Sequence, residues 1–108
     1  MFDCGIHMVS EQKFPDFYFL YGGQAEPLDL TNVIDCVLIT HFHLDHCGAL
    51  PYFSESVGYK GPIIASPPTK AIIPLMLEDF RKVFTLKGEA NLFSSDMIKS
   101  CIDKISTI

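Results

Sequence analysis

The chain has 108 residues, 48% of them hydrophobic and 19% charged, with 8 Lys and Arg against 13 Asp and Glu for a net charge of -5. Its mean hydropathy of +0.25 supplies apolar material for the core of one small domain, or part of one, and excludes a disordered tail. The acidic balance, with an isoelectric point near 5.1, excludes a free-standing nucleic-acid binder of the clustered-cation kind, so contact with nucleic acid must be local or come from elsewhere.

The opening residues Met1-Phe2-Asp3-Cys4-Gly5 carry neither the basic nor the apolar region of a signal peptide, which makes the cell interior the expected compartment. They read instead as a short apolar strand that Asp3 ends. From Ser10 to Asn32 the chain carries Phe14, Phe17, Tyr18, Phe19 and Tyr21, then Gly22-Gly23 and Pro27, the pattern of an ordered aromatic insertion followed by turns. Val33 to Thr40 is rich in β-branched and aliphatic residues, and Val37-Leu38-Ile39 is apolar on both faces, as in a buried strand. Ala49 to Val57 places Leu50, Phe53 and Val57 on one face of a helix that Gly58 ends. After Gly61-Pro62, Ile63 to Ser66 reads as a second buried strand.

Thr69 is placed to cap a helix with Ile72, Met76 and Phe80 in one row and Ile73, Leu77 and Phe84 beside it. Pro74 sits too deep for a first-turn proline and predicts an irregular first turn or a kink. It also interrupts the longest apolar stretch, Ala71 to Leu77, which is far short of the ~20 residues needed to span a membrane. A last helix is expected from about Asp96, with Met97, Cys101 and Ile105 in one row. Strands alternating with helical patterns indicate an α/β layered fold. The four cysteines, at positions 4, 36, 47 and 101, form no C-x-x-C pair and read as reduced, mostly buried thiols.

The chemistry lies directly after the first buried strand, in Thr40-His41-Phe42-His43-Leu44-Asp45-His46-Cys47-Gly48. Three of the chain's four histidines fall within six residues, with a carboxylate between the second and third. Imidazole and carboxylate together suit zinc and similar divalent metals, and a strand end opening into a helix holds closely spaced ligands rigidly. His41 and His43, two apart in an extended segment, can point toward one ion. Asp45 and His46, at the turn into the helix, can face a neighbouring one. That spacing suits a two-metal centre, which generates a nucleophile at neutral pH and clamps the attacking and leaving oxygens of a displacement. The competing reading is a polar turn whose histidines cap the next helix. Asp3 reads either as a turn residue or as a carboxylate that orients a metal-binding imidazole from behind. His7 reads as a turn histidine.

The string His41, His43, Asp45, His46, preceded by the strand-end carboxylate of Phe2-Asp3-Cys4-Gly5, resembles the metallo-β-lactamase superfamily. The longer strings Asp3-Cys4-Gly5-Ile6-His7 and His41 to Pro51 are similar to those of its β-CASP RNA endonucleases. Phe14-Pro15-Asp16-Phe17, Pro51-Tyr52-Phe53-Ser54-Glu55, Val57-Gly58-Tyr59 and Lys87-Gly88-Glu89-Ala90-Asn91 are most similar to the branch that forms the 3′ ends of small nuclear RNA. The branch that cuts pre-mRNA before polyadenylation is the close alternative. Ser66-Pro67-Pro68-Thr69 departs from the first branch, which has a His before Pro-Thr.

The resemblance implies an α/β fold in which residues 1–108 are the N-terminal portion of a metallo-β-lactamase αββα sandwich, with the β-CASP insertion and the remaining motifs absent from the chain. It implies two zinc ions in the intact enzyme, one on His41 and His43 and the other on Asp45 and His46, with Asp3 as the first-motif carboxylate behind them. It further implies a metal-dependent endoribonuclease with an RNA substrate and other subunits of a nuclear RNA-processing complex as partners. Its expected location is the nucleus, with the cytoplasm also open, and no membrane is expected. Residues 1–108 alone are expected to be inactive, because the family's further His and bridging Asp are not among them. Two other readings are a non-catalytic truncated paralogue acting as a scaffold and a small-molecule hydrolase for thioesters or lactams. The short motif admits the hydrolase; the longer strings argue against it.

Overall fold

The computed structural model describes residues 1–6, 17, 30–86 and 93–108. The aromatic insertion, apart from Phe17 and the residues from 30 onward, lies outside the described residues, as do His7 and the string 87–91. Three short strands, β1 (Val37–Leu38), β2 (Ile63–Ala65) and β3 (Ile105–Thr107), form a parallel sheet in that order. Val37 lies beside Ile63, and Ile63 beside Ile105. Parallel neighbours need crossovers. The first contains α1 (Leu44–Cys47) and a π-helical turn at Tyr52–Ser56; the second contains α2 (Pro67–Leu86) and α3 (Ser95–Asp103).

Two right-handed crossovers in unbroken strand order fall on one face of a sheet. In agreement, α2 packs against both α1 and α3, and α3 against the π-helical turn. Val37, Ile63, Ala65 and Ile105 are buried, whereas the alternate positions Leu38 and Ile64 are half-buried and Ser106 is exposed. Phe53 and Tyr59 are fully buried with rings stacked 4.9 Å apart, and Phe17 packs 5.0 Å from Phe53. The Tyr59 hydroxyl donates to the Ile34 carbonyl at 3.2 Å, so the one polar atom of that large side chain is satisfied.

Several boundaries differ from those the sequence suggests. The strand expected over 33–40 pairs only at Val37–Leu38, because Leu30–Asn32 forms a 3-10 turn whose Leu30 carbonyl takes the N–H groups of Val33 and Ile34. Likewise, the opening strand amounts to one parallel bridge between Phe2 and Leu38, since Asp3 turns the chain with φ +61°. The first helix starts at Leu44, inside the histidine string, and Gly58, at φ +89°, does close that helical region as expected.

At α2 the capping hydroxyl is Ser66, which accepts from the Thr69 N–H at 3.4 Å, while Thr69 lies in the first turn. Pro67 and Pro68 fill first-turn positions that have no intrahelical donor to lose, and the helix runs on through Pro74. Its buried row is Ile73, Leu77 and Phe80. The last helix, capped by Ser94 through the Met97 N–H at 3.2 Å, stops at Asp103, and Ile105 joins the sheet. Ile105 lies four residues after Cys101 and both are buried, so helical spacing alone could not separate the two outcomes. Cys4, Cys47 and Cys101 are buried free thiols and Cys36 is half-buried. Among the described residues no helix is long and apolar enough to cross a membrane.

Candidate metal centre

β1 delivers its chain to the carboxyl edge of the sheet, where side chains of successive loops meet outside the strands. Ile39 still donates to the Ile64 carbonyl at 2.9 Å; from Thr40 the chain leaves the sheet. His43 stays extended (φ -64°, ψ 146°) at the N-cap of α1 and makes no side-chain cap bond, so the capping alternative does not explain this histidine. The short helix then presents Asp45 and His46 on its first turn.

His41, His43 and Asp45 each bring one ligand atom to within 4.8 Å of the others. The trio takes members from both pairs that spacing suggests. His46 adjoins it: its ring lies 3.9 Å from that of His41, and its Nε2 is 3.5 Å from Asp45 Oδ2. An ion held at 2.0–2.2 Å by imidazole and carboxylate has ligand atoms about 3–4 Å apart. A small side-chain adjustment by the exposed His43 and Asp45 closes the 4.8 Å spread. The donor set and its spacing fit a zinc-like ion.

Asp3 approaches from the neighbouring segment. Its backbone N–H donates to the Leu38 carbonyl at 2.8 Å, and its left-handed conformation turns the carboxylate across to the string. Oδ1 accepts the Thr40 backbone N–H at 2.7 Å, both oxygens lie 2.9 Å from the Thr40 hydroxyl, and Oδ2 meets His46 Nδ1 at 2.9 Å. Burial alone would push this carboxyl up, but the bonds from the Thr40 N–H and from His46 outweigh it and hold it below the usual range. The same bond to Asp3 raises His46 above the ordinary imidazole value, against the opposing effect of burial and with help from the Asp45 charge.

A four-residue helix does not stand by itself. Here the segment 3–6 laces it down: Cys4 N–H donates to the His46 carbonyl at 2.8 Å, Ile6 N–H to Leu44 at 3.1 Å, and Ala49 N–H back to Cys4 at 3.0 Å. Such closeness demands a residue without Cβ between Cys4 and Ile6, since a Cβ on Gly5 would lie 1.7 Å from the Asp45 carbonyl oxygen. Beneath the string, the Cys47 thiol bonds the Phe42 carbonyl at 3.2 Å. Burial pushes it up to about 12 and raises the Cys4 thiol as well. These thiols are buried, neutral packing groups.

Sequence reasoning missed Thr40 and Gly5. The available signals were a hydroxyl residue at the strand end next to the first histidine and a glycine two residues past the orienting carboxylate. Neither has a periodicity to detect.

The family described as the metallo-beta-lactamase superfamily matches residues 1–95. The chain is 54% identical over 112 residues to Integrator complex subunit 11 of Gallus gallus, covering all of this chain and 18% of that protein. It is 56% identical over 109 residues to the Integrator complex subunit 11 homolog of Dictyostelium discoideum, covering 97% of this chain and 14% of that protein. It is 48% identical over 111 residues to cleavage and polyadenylation specificity factor subunit 3-II of Arabidopsis thaliana, covering all of this chain and 18% of that one. The chain thus spans less than a fifth of the length of these curated relatives.

Proposed function

The chain belongs to the metallo-β-lactamase superfamily, and from that premise we propose that residues 1–108 are the N-terminal portion of the catalytic domain of a zinc-dependent endoribonuclease. It forms RNA 3′ ends in the nucleus, on small nuclear RNA, as a subunit of a multi-subunit complex. The observation that carries the reading is the convergence of His41, His43 and Asp45 ligand atoms within 4.8 Å, in a chain 54% identical throughout to Integrator complex subunit 11. The 48% identity to a cleavage and polyadenylation specificity factor subunit supports pre-mRNA as the second substrate class.

In this reading His41, His43, Asp45 and His46 hold two ions, and Asp3 and Thr40 fix how the imidazoles point. Bound divalent ions supply Lewis acidity toward phosphoryl oxygens and make a nucleophile available at neutral pH. The chain's own part is a neutral-nitrogen and carboxylate cradle at a rigid strand end. With a net charge of -5, this stretch does not gather the RNA backbone by charge, so affinity for phosphates comes from other regions of the enzyme or from partner subunits.

The test uses the whole catalytic protein. Metal analysis should return close to two zinc ions per molecule, and single-stranded RNA should be cut in a chelator-sensitive way. The double variant His43→Ala/Asp45→Ala should lose both properties while keeping its melting transition. Undiminished cleavage by that variant would overturn the assignment of these residues, whereas absence of cleavage by the unaltered protein would leave the scaffold reading.

A further inference from the structure

We propose that the Thr40 hydroxyl is a positioning group that passes the orientation set by Asp3 on to His41, so that one carboxylate fixes which ring nitrogen carries the hydrogen in both His41 and His46. The inference rests on the reading of these histidines as ligands only for its purpose; the hydrogen positions themselves follow from the geometry. Thr40 Oγ1 is 2.9 Å from each oxygen of Asp3 and 2.9 Å from His41 Nδ1. A hydroxyl has one hydrogen, and a carboxylate offers only acceptors. The hydrogen of Thr40 therefore goes to Asp3. What the hydroxyl then presents to His41 is a lone pair, and two lone pairs at 2.9 Å repel. His41 Nδ1 must bear the hydrogen and donate it to Oγ1.

His46 needs no intermediary. Its Nδ1 lies 2.9 Å from Asp3 Oδ2 and is the donor for the same reason. In both neutral rings the lone pair is thereby left on Nε2, and in His46 that nitrogen lies 3.5 Å from the carboxylate of Asp45, a member of the clustered trio. An imidazole whose second nitrogen donates to an oxygen is locked in tautomer and ring angle, and groups that do this from behind typically change metal affinity ~10–100-fold when removed. Asp3 reaches only one of the two rings directly. Thr40 is what makes its influence reach the other, and the Thr40 N–H bond to Asp3 Oδ1 at 2.7 Å keeps the hydroxyl in place. Serine preserves the device and valine, of the same shape, abolishes it.

The hydrogen positions are read directly by long-range proton–nitrogen NMR on the metal-free protein with labelled histidine, at alkaline pH so that the rings are neutral. The proposal expects His41 and His46 in the Nδ1–H form. Thr40→Val should shift His41 toward a mixture of forms and leave His46 and His43 as they are, and Thr40→Ser should restore the first pattern. Zinc titrations run alongside should show an affinity ~10–100-fold weaker in Thr40→Val and close to wild type in Thr40→Ser. His41 in the Nε2–H form in the wild type, or unchanged by Thr40→Val, overturns the proposal even if zinc binds. Absence of zinc binding with His41 still following Thr40 upholds the proposal and removes the metal reading instead. If Thr40→Val unfolds, the wild-type spectrum and Thr40→Ala decide by the same criteria.

Discussion

Asp3 and His46 are 43 residues apart in the chain and 2.9 Å apart in space, and that closure distinguishes an ordered site from a string of histidines. The string was legible in the sequence because all of its members fall between positions 41 and 46, so no tertiary knowledge was needed to bring them together. A carboxylate at a strand end was likewise readable as an orienting group. Thr40 was not, because its role exists only once Asp3 lies against it. Replacing Asp3 by Asn keeps the shape but offers Thr40 and His46 an amide in which one of the two oxygens has become a donor. We expect Asp3→Asn to weaken zinc binding ~10–100-fold, measured by competition with a chromophoric chelator, with the melting transition still cooperative. Equal affinity in the two proteins would remove Asp3 from the site.

At the scale of elements, apolar runs and hydroxyl caps marked where strands and helices exist, and pairing decided where they stop. Val33 to Leu38 shows the limit: its first residues have strand propensity, yet the Leu30 carbonyl holds them in a turn. Ile105 shows another, since a residue buried after a helix looks the same whether the helix continues or a strand begins. The four-residue α1 was legible only as a turn because what stabilises it is the lacing from residues 3–6 and not its own propensity. Two glycines test that view with opposite physics. A Cβ at Gly5 meets the Asp45 backbone oxygen at 1.7 Å, so Gly5→Ala must push the lacing segment off α1. We expect a loss of about 3 kcal/mol in chemical denaturation, together with loss of zinc binding. Gly58 has open space around it but a φ of +89°, so Gly58→Ala should cost only about 1–2 kcal/mol and leave zinc affinity unchanged. Equal effects on zinc affinity would show that the lacing has no special bearing on the site.

For the whole molecule, alternation of strands and helices gave the α/β class, and the parallel order of the sheet follows from crossovers that the chain supplies between every pair of strands. The far face of the sheet, where Leu38 and Ile64 are half-buried, is the less buried of the two among the described residues, and under the proposed reading it packs against the rest of the catalytic domain. In keeping with that, we expect residues 1–108 alone, supplied with zinc, to leave single-stranded RNA uncut over hours in a gel assay; chelator-sensitive cleavage by this stretch would make it an enzyme of its own. The contact between Asp3 and the string has one more consequence, and it concerns time. Closing a loop of 43 residues costs about 3 kcal/mol of chain entropy before any ion arrives, and the lacing bonds and the burial of Cys4 and Ile6 must offset it. Local segments such as 41–46 can form in microseconds, but joining distant parts of a chain is slower. An ion arriving early meets rings that still rotate freely, and one arriving after closure meets rings already set. When denatured protein is diluted into buffer containing zinc, tight capture should therefore follow the folding phase and not the moment of mixing, and a stopped-flow trace with an indicator dye would show which.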